Sequence, residues 1–219
     1  MVFPFQRSAS DRRTCPIFPY DEIAELFSAF KIRLVDLDEG TFLSDQQMLE
    51  LGLSTETYNQ RQAEKISALS DSLTRQEDIA KIKRRVRYAM VYIVEDNGSI
   101  DKIVLPVNGY GLWGIMYGFL ALEGDGNTVS GIGFYDLKET PGLGYEVTNP
   151  NWTALWPGKK IYDEQGSVAM RVVKGRGQGE YEIDGLAGAS LTSRGVQNLI
   201  EYWLGEDGFG PFIKNVTGI

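Results

Sequence analysis

The chain reads as an α+β protein, an antiparallel β-sheet flanked by helices. Two hairpin turn signals predict this, Asp96-Asn-Gly-Ser99 and Asp125-Gly-Asn127, each between runs of alternating apolar residues. The third observation is a strongly amphipathic helix pattern at 194–204, near the C-terminus. Sequential hairpins favour an antiparallel meander over a doubly wound parallel sheet.

Taken in order, residues 1–20 are rich in Pro and Arg and read as an irregular segment. Asp21 can cap a short helix with Ile23, Leu26, Phe27 and Phe30 on one side. Residues 31–37 read as a strand, with Asp38-Glu-Gly40 as its turn. Residues 56–87 are polar, with Ile66, Leu69, Leu73, Ile79 and Ile82 at roughly helical spacing, and predict helix broken near 70–74. Within them, the basic run Lys81-Ile-Lys-Arg-Arg85 reads as a solvated helix face or, alternatively, a contact for an acidic partner. Strands follow at 88–94, 100–107, 112–122 and 129–135, with Gly109-Tyr-Gly111 breaking the pattern.

Glu139-Thr-Pro-Gly-Leu-Gly144 is a tight loop in which Pro141 fixes one dihedral and the glycines permit positive φ. It presents Leu143 on a rigid turn, either folded into the core edge or facing a ligand. Residues 151–156 form a short helix or turn, and 160–163 with 168–173 a further strand pair across Gln165-Gly166. Lys174-Gly-Arg-Gly-Gln-Gly179 is a flexible basic loop, either plain surface or a partner for a phosphate. The last helix gathers Val196, Leu199, Ile200 and Trp203 on one side and stops at Gly205. Gly208-Phe-Gly-Pro-Phe212 then turns the tail back with two aromatic residues for the core. The resulting organisation is an irregular segment 1–20, a mainly helical annex with one strand at 21–87, and the main domain at 88–219.

The residue inventory excludes several kinds of chemistry. There is no histidine, which removes His-based triads, His-held zinc and His-ligated haem. Cys15 is the only cysteine, so neither an internal disulfide nor an iron–sulfur cluster built from this chain's thiolates alone is available. Redox chemistry would have to come from an organic cofactor. A net charge of -8 argues against nucleic acid and against an anionic membrane surface. No apolar run is long enough to span a bilayer.

The most informative stretch is Asp184-Gly-Leu-Ala-Gly-Ala-Ser190-Leu-Thr-Ser193, which runs into the last helix. Small residues let a ligand approach the backbone, and Ser190, Thr192 and Ser193 offer hydroxyls. Any of the last few residues could simply cap the helix. A helix start also carries unpaired N–H groups and partial positive charge, which favour a phosphate.

These residues resemble the flavinylation motif of the C subunit of the Na+-translocating NADH:quinone reductases, roughly Asp-Gly-x-Ser/Thr-Gly-Ala-Thr-x-Thr-Ser. Further stretches are similar in the family's order: Leu105-Pro-Val-Asn-Gly-Tyr-Gly-Leu-Trp113, Glu123-Gly-Asp-Gly-Asn-Thr-Val-Ser-Gly131, Glu139-Thr-Pro-Gly-Leu-Gly144 and Trp203-Leu-Gly-Glu-Asp-Gly-Phe-Gly-Pro-Phe212. The similarity spans roughly residues 32–216.

The resemblance implies an FMN-binding domain with FMN joined through its phosphate to Ser190, where the family has Thr. It further implies Leu112, Trp113 and Leu143 against the flavin ring, Glu139, Thr140 and Lys174 as polar contacts, and Thr192 and Ser193 near the phosphate. The implied role is electron transfer within a Na+-pumping complex, with the complex's other subunits as partners and a Mg-dependent flavin transferase using FAD for maturation. The implied location is the periplasmic side of the bacterial inner membrane. The family's N-terminal membrane helix has no counterpart in residues 1–20, so this chain is expected to be soluble. Alternatives are the related G subunit of the Rnf electron-transport complex and a flavin-free scaffold of the same fold. Departures from the family pattern are Ser190, Ala187 where a hydroxyl is usual, and Tyr145 where a small residue is usual.

Overall fold

A computed structural model describes residues 30–218. Its centre is a six-stranded antiparallel sheet in the order β2-β1-β5-β6-β7-β8. β1 (Phe30–Asp36) and β2 (Thr41–Phe42) form an edge hairpin, and β5 (Tyr88–Asp96), β6 (Ser99–Tyr110), β7 (Ile115–Glu123) and β8 (Val129–Asp136) form a meander. The two turn signals are the outer hairpins of that meander. Asn97 and Gly98 both have positive φ, as the tight hairpin turn needs. Asp125 Oδ1 accepts from Asn127 N at 2.9 Å and Thr128 N at 2.7 Å to close the other.

Alternation along the strands gives the sheet one dry face, carrying Ala89, Val91, Ile93, Ile103, Leu105, Val107, Met116, Leu120 and Leu122. Three short helices, α1 (Asp45–Leu51), α2 (Gln60–Ala63) and α3 (Pro150–Thr153), precede the two C-terminal ones, α4 (Ser190–Trp203) and α5 (Gly210–Thr217). The C-terminal pair closes the dry face, with Val196, Leu199, Ile200 and Trp203 from α4 and Phe212 and Ile213 from α5. Two hydrogen bonds pin the far end of α4: Trp203 Nε1 donates to Asn108 O at 2.7 Å, and Tyr162 Oη to Leu204 O at 2.9 Å. Near its start, Gly195 lies so close to Tyr110 O that a Cβ there would clash with it.

Several expectations need correction. The broken helix over 56–87 is absent. That region holds α2, a small hairpin of β3 (Ser70–Ser72) and β4 (Arg84–Val86), and turns. The polar backbone groups are captured by side chains instead of a helical ladder. Asp78 accepts from Ile82 N at 2.7 Å and Lys83 N at 3.0 Å, while Lys81 and Lys83 take positive φ. The basic run is therefore no helix face. Arg84 is tied to Ser70 and Ser72, and Arg85 to Asp38 and Asp207 O. Since β1 belongs to the central sheet, a boundary at 87/88 cuts through one sheet.

Helix α1 has no counterpart among the elements expected from sequence, although Ser44 and Gln47 form a capping box and Gly52 ends it at φ 65. The helix expected after Asp21 lies outside the described residues, except that Phe30 begins β1. The strand pair 160–163 with 168–173 reduces to one bridge, Tyr162 to Val168. Instead β9 (Arg171–Val173) runs parallel to β10 (Glu182–Asp184). Gly109-Tyr-Gly111 does not end β6 early, because the strand continues to Tyr110, and Leu112 and Trp113 precede β7 in a loop.

Candidate functional site

Four chain segments converge at the start of α4: the turn 111–114 between β6 and β7, the loop 138–144 after β8, the loop 174–179 after β9, and the motif 184–189 after β10. Backbone ties hold each in place. Gly111 N donates to Gly114 O at 2.8 Å, and Leu143 N and Tyr145 N both donate to Thr140 O at 3.1 Å. Trp152 Nε1 donates to Asp184 O at 2.8 Å, Gly185 N to Val173 O at 2.7 Å, and Gly177 N to Asp184 Oδ1 at 2.9 Å.

Glu139 joins its own loop to the 111–114 turn and to α4. It is 6% exposed. Its Oε1 accepts from Leu112 N at 2.8 Å and Trp113 N at 3.1 Å, and its Oε2 accepts from the Thr192 hydroxyl at 2.7 Å. Gly111 and Gly144 flank the carboxylate so tightly that a Cβ at either would strike it. Leu143 in turn lies against Gly188 of the motif, where an added Cβ would meet its Cδ2 at 3.1 Å.

Helix α4 begins at Ser190, four residues before the expected start, and no side chain caps it. The three hydroxyls sit within its first turn and differ in what they do. Thr192 is buried and donates to Glu139. Ser193 is buried, accepts from Leu186 N at 2.9 Å and donates to Ala189 O at 3.1 Å. Ser190 is exposed and, among the described residues, makes no side-chain hydrogen bond.

Ser190 lies on a cleft of about 480 Å³ walled by β9, the motif and α4. Two cations line it, Lys174 and Arg194, and no carboxylate does. Among the described residues, neither cation forms an ion pair or side-chain hydrogen bond. In a chain of net charge -8, this cleft combines two unpaired cations with the start of a 14-residue helix, the charge and backbone donors that an anion would need. Around it stand exposed apolar side chains that the core does not use: Leu112, Leu143, Tyr145, Tyr110, Leu191 and Trp113, the last 63% exposed. No group of three or more His, Cys, Asp or Glu suited to a metal occurs among the described residues.

Of the residues picked out from sequence, Ser190, Ser193 and Lys174 line the cleft and Leu143 abuts the motif, whereas Leu112, Trp113, Glu139, Thr140 and Thr192 do not line it; Leu112 and Trp113 are tied to Glu139, which in turn holds Thr192 of α4. Thr140 anchors its own loop through its carbonyl, and its side chain is exposed. Arg194 also lines the cleft, and Leu191 and Tyr110 are exposed apolar side chains near the start of α4; none of the three is singled out from sequence. Arg194 is readable in principle, since four residues on from Ser190 is the same helix face.

The group implied by these features is consistent with what the chain matches. The family model for an FMN-binding domain matches residues 111–205. Over 201 residues the chain is 51% identical to the C subunit of the Na+-translocating NADH-quinone reductase of Pseudomonas aeruginosa, covering 89% of this chain and 74% of the relative. It is 48% identical over 198 residues to the same protein of Vibrio alginolyticus, with the same coverage. The crystal structure of Shewanella oneidensis NqrC superposes with TM-score 0.79 at 37% identity, covering 91% of this chain and 89% of that one. The crystal structure of the C subunit from Parabacteroides distasonis, at 24% identity and TM-score 0.63, shares the fold over 88% and 83% of the two chains.

Proposed function

The chain belongs to the NqrC family, the C subunits of Na+-translocating NADH-quinone reductases, and carries an FMN-binding domain, and from that premise we propose that it holds FMN covalently, as a phosphoester of Ser190, to carry electrons within that complex. The observation that carries this reading is the division of labour among the motif's hydroxyls. Thr192 and Ser193 are committed to the protein, and Ser190 is free, exposed and on the cationic cleft.

The residues present fit the group. A phosphodiester carries about one negative charge, which the helix start, Lys174 and Arg194 would stabilise. Ala187 and Gly188 leave the approach to Ser190 unobstructed. The exposed Leu112, Trp113 and Leu143 would offer apolar contacts to the flavin, and Thr140 and Lys174 would offer hydrogen-bond donors. Glu139, its oxygens engaged with the 112–113 backbone and Thr192, serves by holding that backbone in register with Ser190. When bound, FMN supplies the one-electron redox chemistry that this chain's side chains lack. Attachment exchanges the Ser190 hydroxyl proton for a bond to the FMN phosphorus of FAD and releases AMP, a step we assign to a Mg-dependent flavin transferase.

The partners are then the other subunits of the complex, and the domain works at the periplasmic side of the bacterial inner membrane. Among the described residues no helix is long and apolar enough to cross a membrane.

The test is intact mass under denaturing conditions after co-expression with a flavin transferase. We expect a gain of FMN less one water, mapped to the peptide containing Ser190 and absent from Ser190→Ala. An unmodified mass, under conditions in which Ser190→Thr is modified, would make the natural chain a flavin-free scaffold. Flavin retained by the alanine variant would move the attachment elsewhere.

A further inference from the structure

The face of the sheet turned away from α4 carries a second cavity, of about 310 Å³, that shares no lining residue with the cleft at Ser190. Its floor is Met90 and Tyr92 of β5, Pro106 and Asn108 of β6, Tyr117 and Phe119 of β7, and Tyr135 of β8; the α2 segment forms its rim. The rings form a continuous aromatic wall. Tyr92 meets Phe119 edge-on at 5.7 Å, and Phe119 stacks on Tyr135 at 5.4 Å.

The rim already holds one cation against this wall. Arg61 Cζ lies 3.7 Å from the Tyr117 ring centroid, and its Nη1 pairs with Asp136 Oδ2 at 2.8 Å. One turn on, Glu64 lines the same cavity in a half-buried position, and no ion pair among the described residues satisfies it. Its carboxylate has a single side-chain partner, Asn108 Nδ2 at 3.5 Å, and that amide is itself buried. A half-buried carboxylate with no cation in contact is a costly arrangement, which the more distant Arg61 and Lys65 offset only in part. Aromatic faces beside it favour an organic cation. One carboxylate and one amide offer far fewer oxygens than a calcium ion collects.

We propose that this cavity binds a primary alkylammonium group, with the ammonium on the Glu64 carboxylate and the alkyl stem along Phe119, Tyr92 and Pro106. The group can come from a lysine of a neighbouring protein in the complex or from a free amine. Binding requires ionised Glu64. Burial raises its pKa to about 7, against a weaker opposing pull from Arg61 and Lys65. The other titratable groups facing it are Tyr58 beside it on the rim, Tyr92 on β5, Tyr117 on β7, and Tyr135 and Asp136 on β8. Burial pushes the four tyrosines upward, so their hydroxyls stay neutral through the physiological range.

The experiment titrates the isotopically labelled full chain with n-butylammonium, with 1-butanol as the neutral control, and follows the Asn108 side-chain amide and the Met90 and Phe119 backbone amides by NMR. We expect saturable shifts confined to the cavity, with affinity about 30-fold lower at pH 5.5 than at pH 8, as the ionised fraction of a group of pKa about 7 falls. Glu64→Gln, with its amide spectrum showing that it is folded, should lose the response. Equal shifts with 1-butanol, no saturable response, or binding retained by Glu64→Gln each overturn the proposal. In the assembled complex, carbodiimide coupling joining Glu64 to a partner lysine identifies a protein source. Retained n-butylammonium binding without such a coupling identifies a free amine.

Discussion

Glu139→Ala tests the architecture of the flavin site without touching the attachment residue. The substitution removes three hydrogen bonds to a buried carboxylate, two from the 112–113 backbone and one from Thr192. Bonds to charged groups contribute about 1.5–3 kcal/mol each. The variant is also relieved of burying the carboxylate, which offsets part of that loss. The two backbone amides belong to an exposed loop and can turn to water, whereas the Thr192 hydroxyl is only 1% exposed and is left without its acceptor, at a cost of about 1–3 kcal/mol. The net expectation is about 3 kcal/mol of lost stability, a fall in Tm of roughly 6–12 °C for a domain of this size. Glu139→Gln keeps an acceptor for both amides, and the Thr192 hydroxyl can rotate to accept from the new amide. It should therefore lose only about 1 kcal/mol. Urea unfolding of the flavin-free chain measures both, and hydrogen exchange at Leu112 and Trp113 reports the loop directly. An alanine variant within about 0.5 kcal/mol of the parent, a change typical of unconstrained surface sites, with unchanged protection at 112–113, would refute the bracket.

Gly144→Ala drives a methyl into the Glu139 carboxylate and the Thr192 hydroxyl and should lower stability by about 1–3 kcal/mol, read in the same unfolding assay. Ser190→Thr, which adds the χ1-restricting methyl, should raise the fraction of chains carrying covalent flavin, as measured by intact mass. Arg194→Glu places an anion four residues from the attachment hydroxyl and should slow flavin attachment in a time course without lowering Tm by more than about 2 °C. Stability should also depend on Glu64. Its folded pKa, about 7, exceeds its unfolded value of 4.5, so the folded state holds the extra proton and stability falls as pH rises between those values. After discounting for its partial exposure, that fall is about 1–2 kcal/mol between pH 5 and pH 8. Glu64→Gln should flatten it in urea titrations at the two pH values.

The meander is legible in the sequence because its information is local. Asn97-Gly98 and Asp125-Gly126 specify their own turns, and the alternation between them specifies which face is dry. The region 56–87 misleads because its apolar residues mark contacts, not a helical face. Ile66 and Ile79 are exposed while Ile82 is buried, and Asp78 fixes the backbone by bonds no hydropathy pattern records. The parallel pairing of β9 with β10 is likewise set by packing that neither segment's own pattern encodes. At the site, Ser190 and Ser193 are read from the motif and Lys174 from the separate loop 174–179, and the fold lines one cleft with all three. Sequence could not assign Glu139 its place, because 53 residues separate it from Thr192 and only the folded sheet brings them together.

The contact of Gly195 with Tyr110 O has a consequence for how freely this protein can change. Where a helix rests on a strand through side chains, every substitution in that layer resets the spacing between them. Here the start of α4 meets the end of β6 main chain to main chain, so at that point its standoff from the sheet is set by backbone and not by side-chain volume. Leu199 or Val196 can drift among residues of similar volume while position 190 keeps its distance from the sheet. The interior and the attachment point can thus diverge on separate schedules.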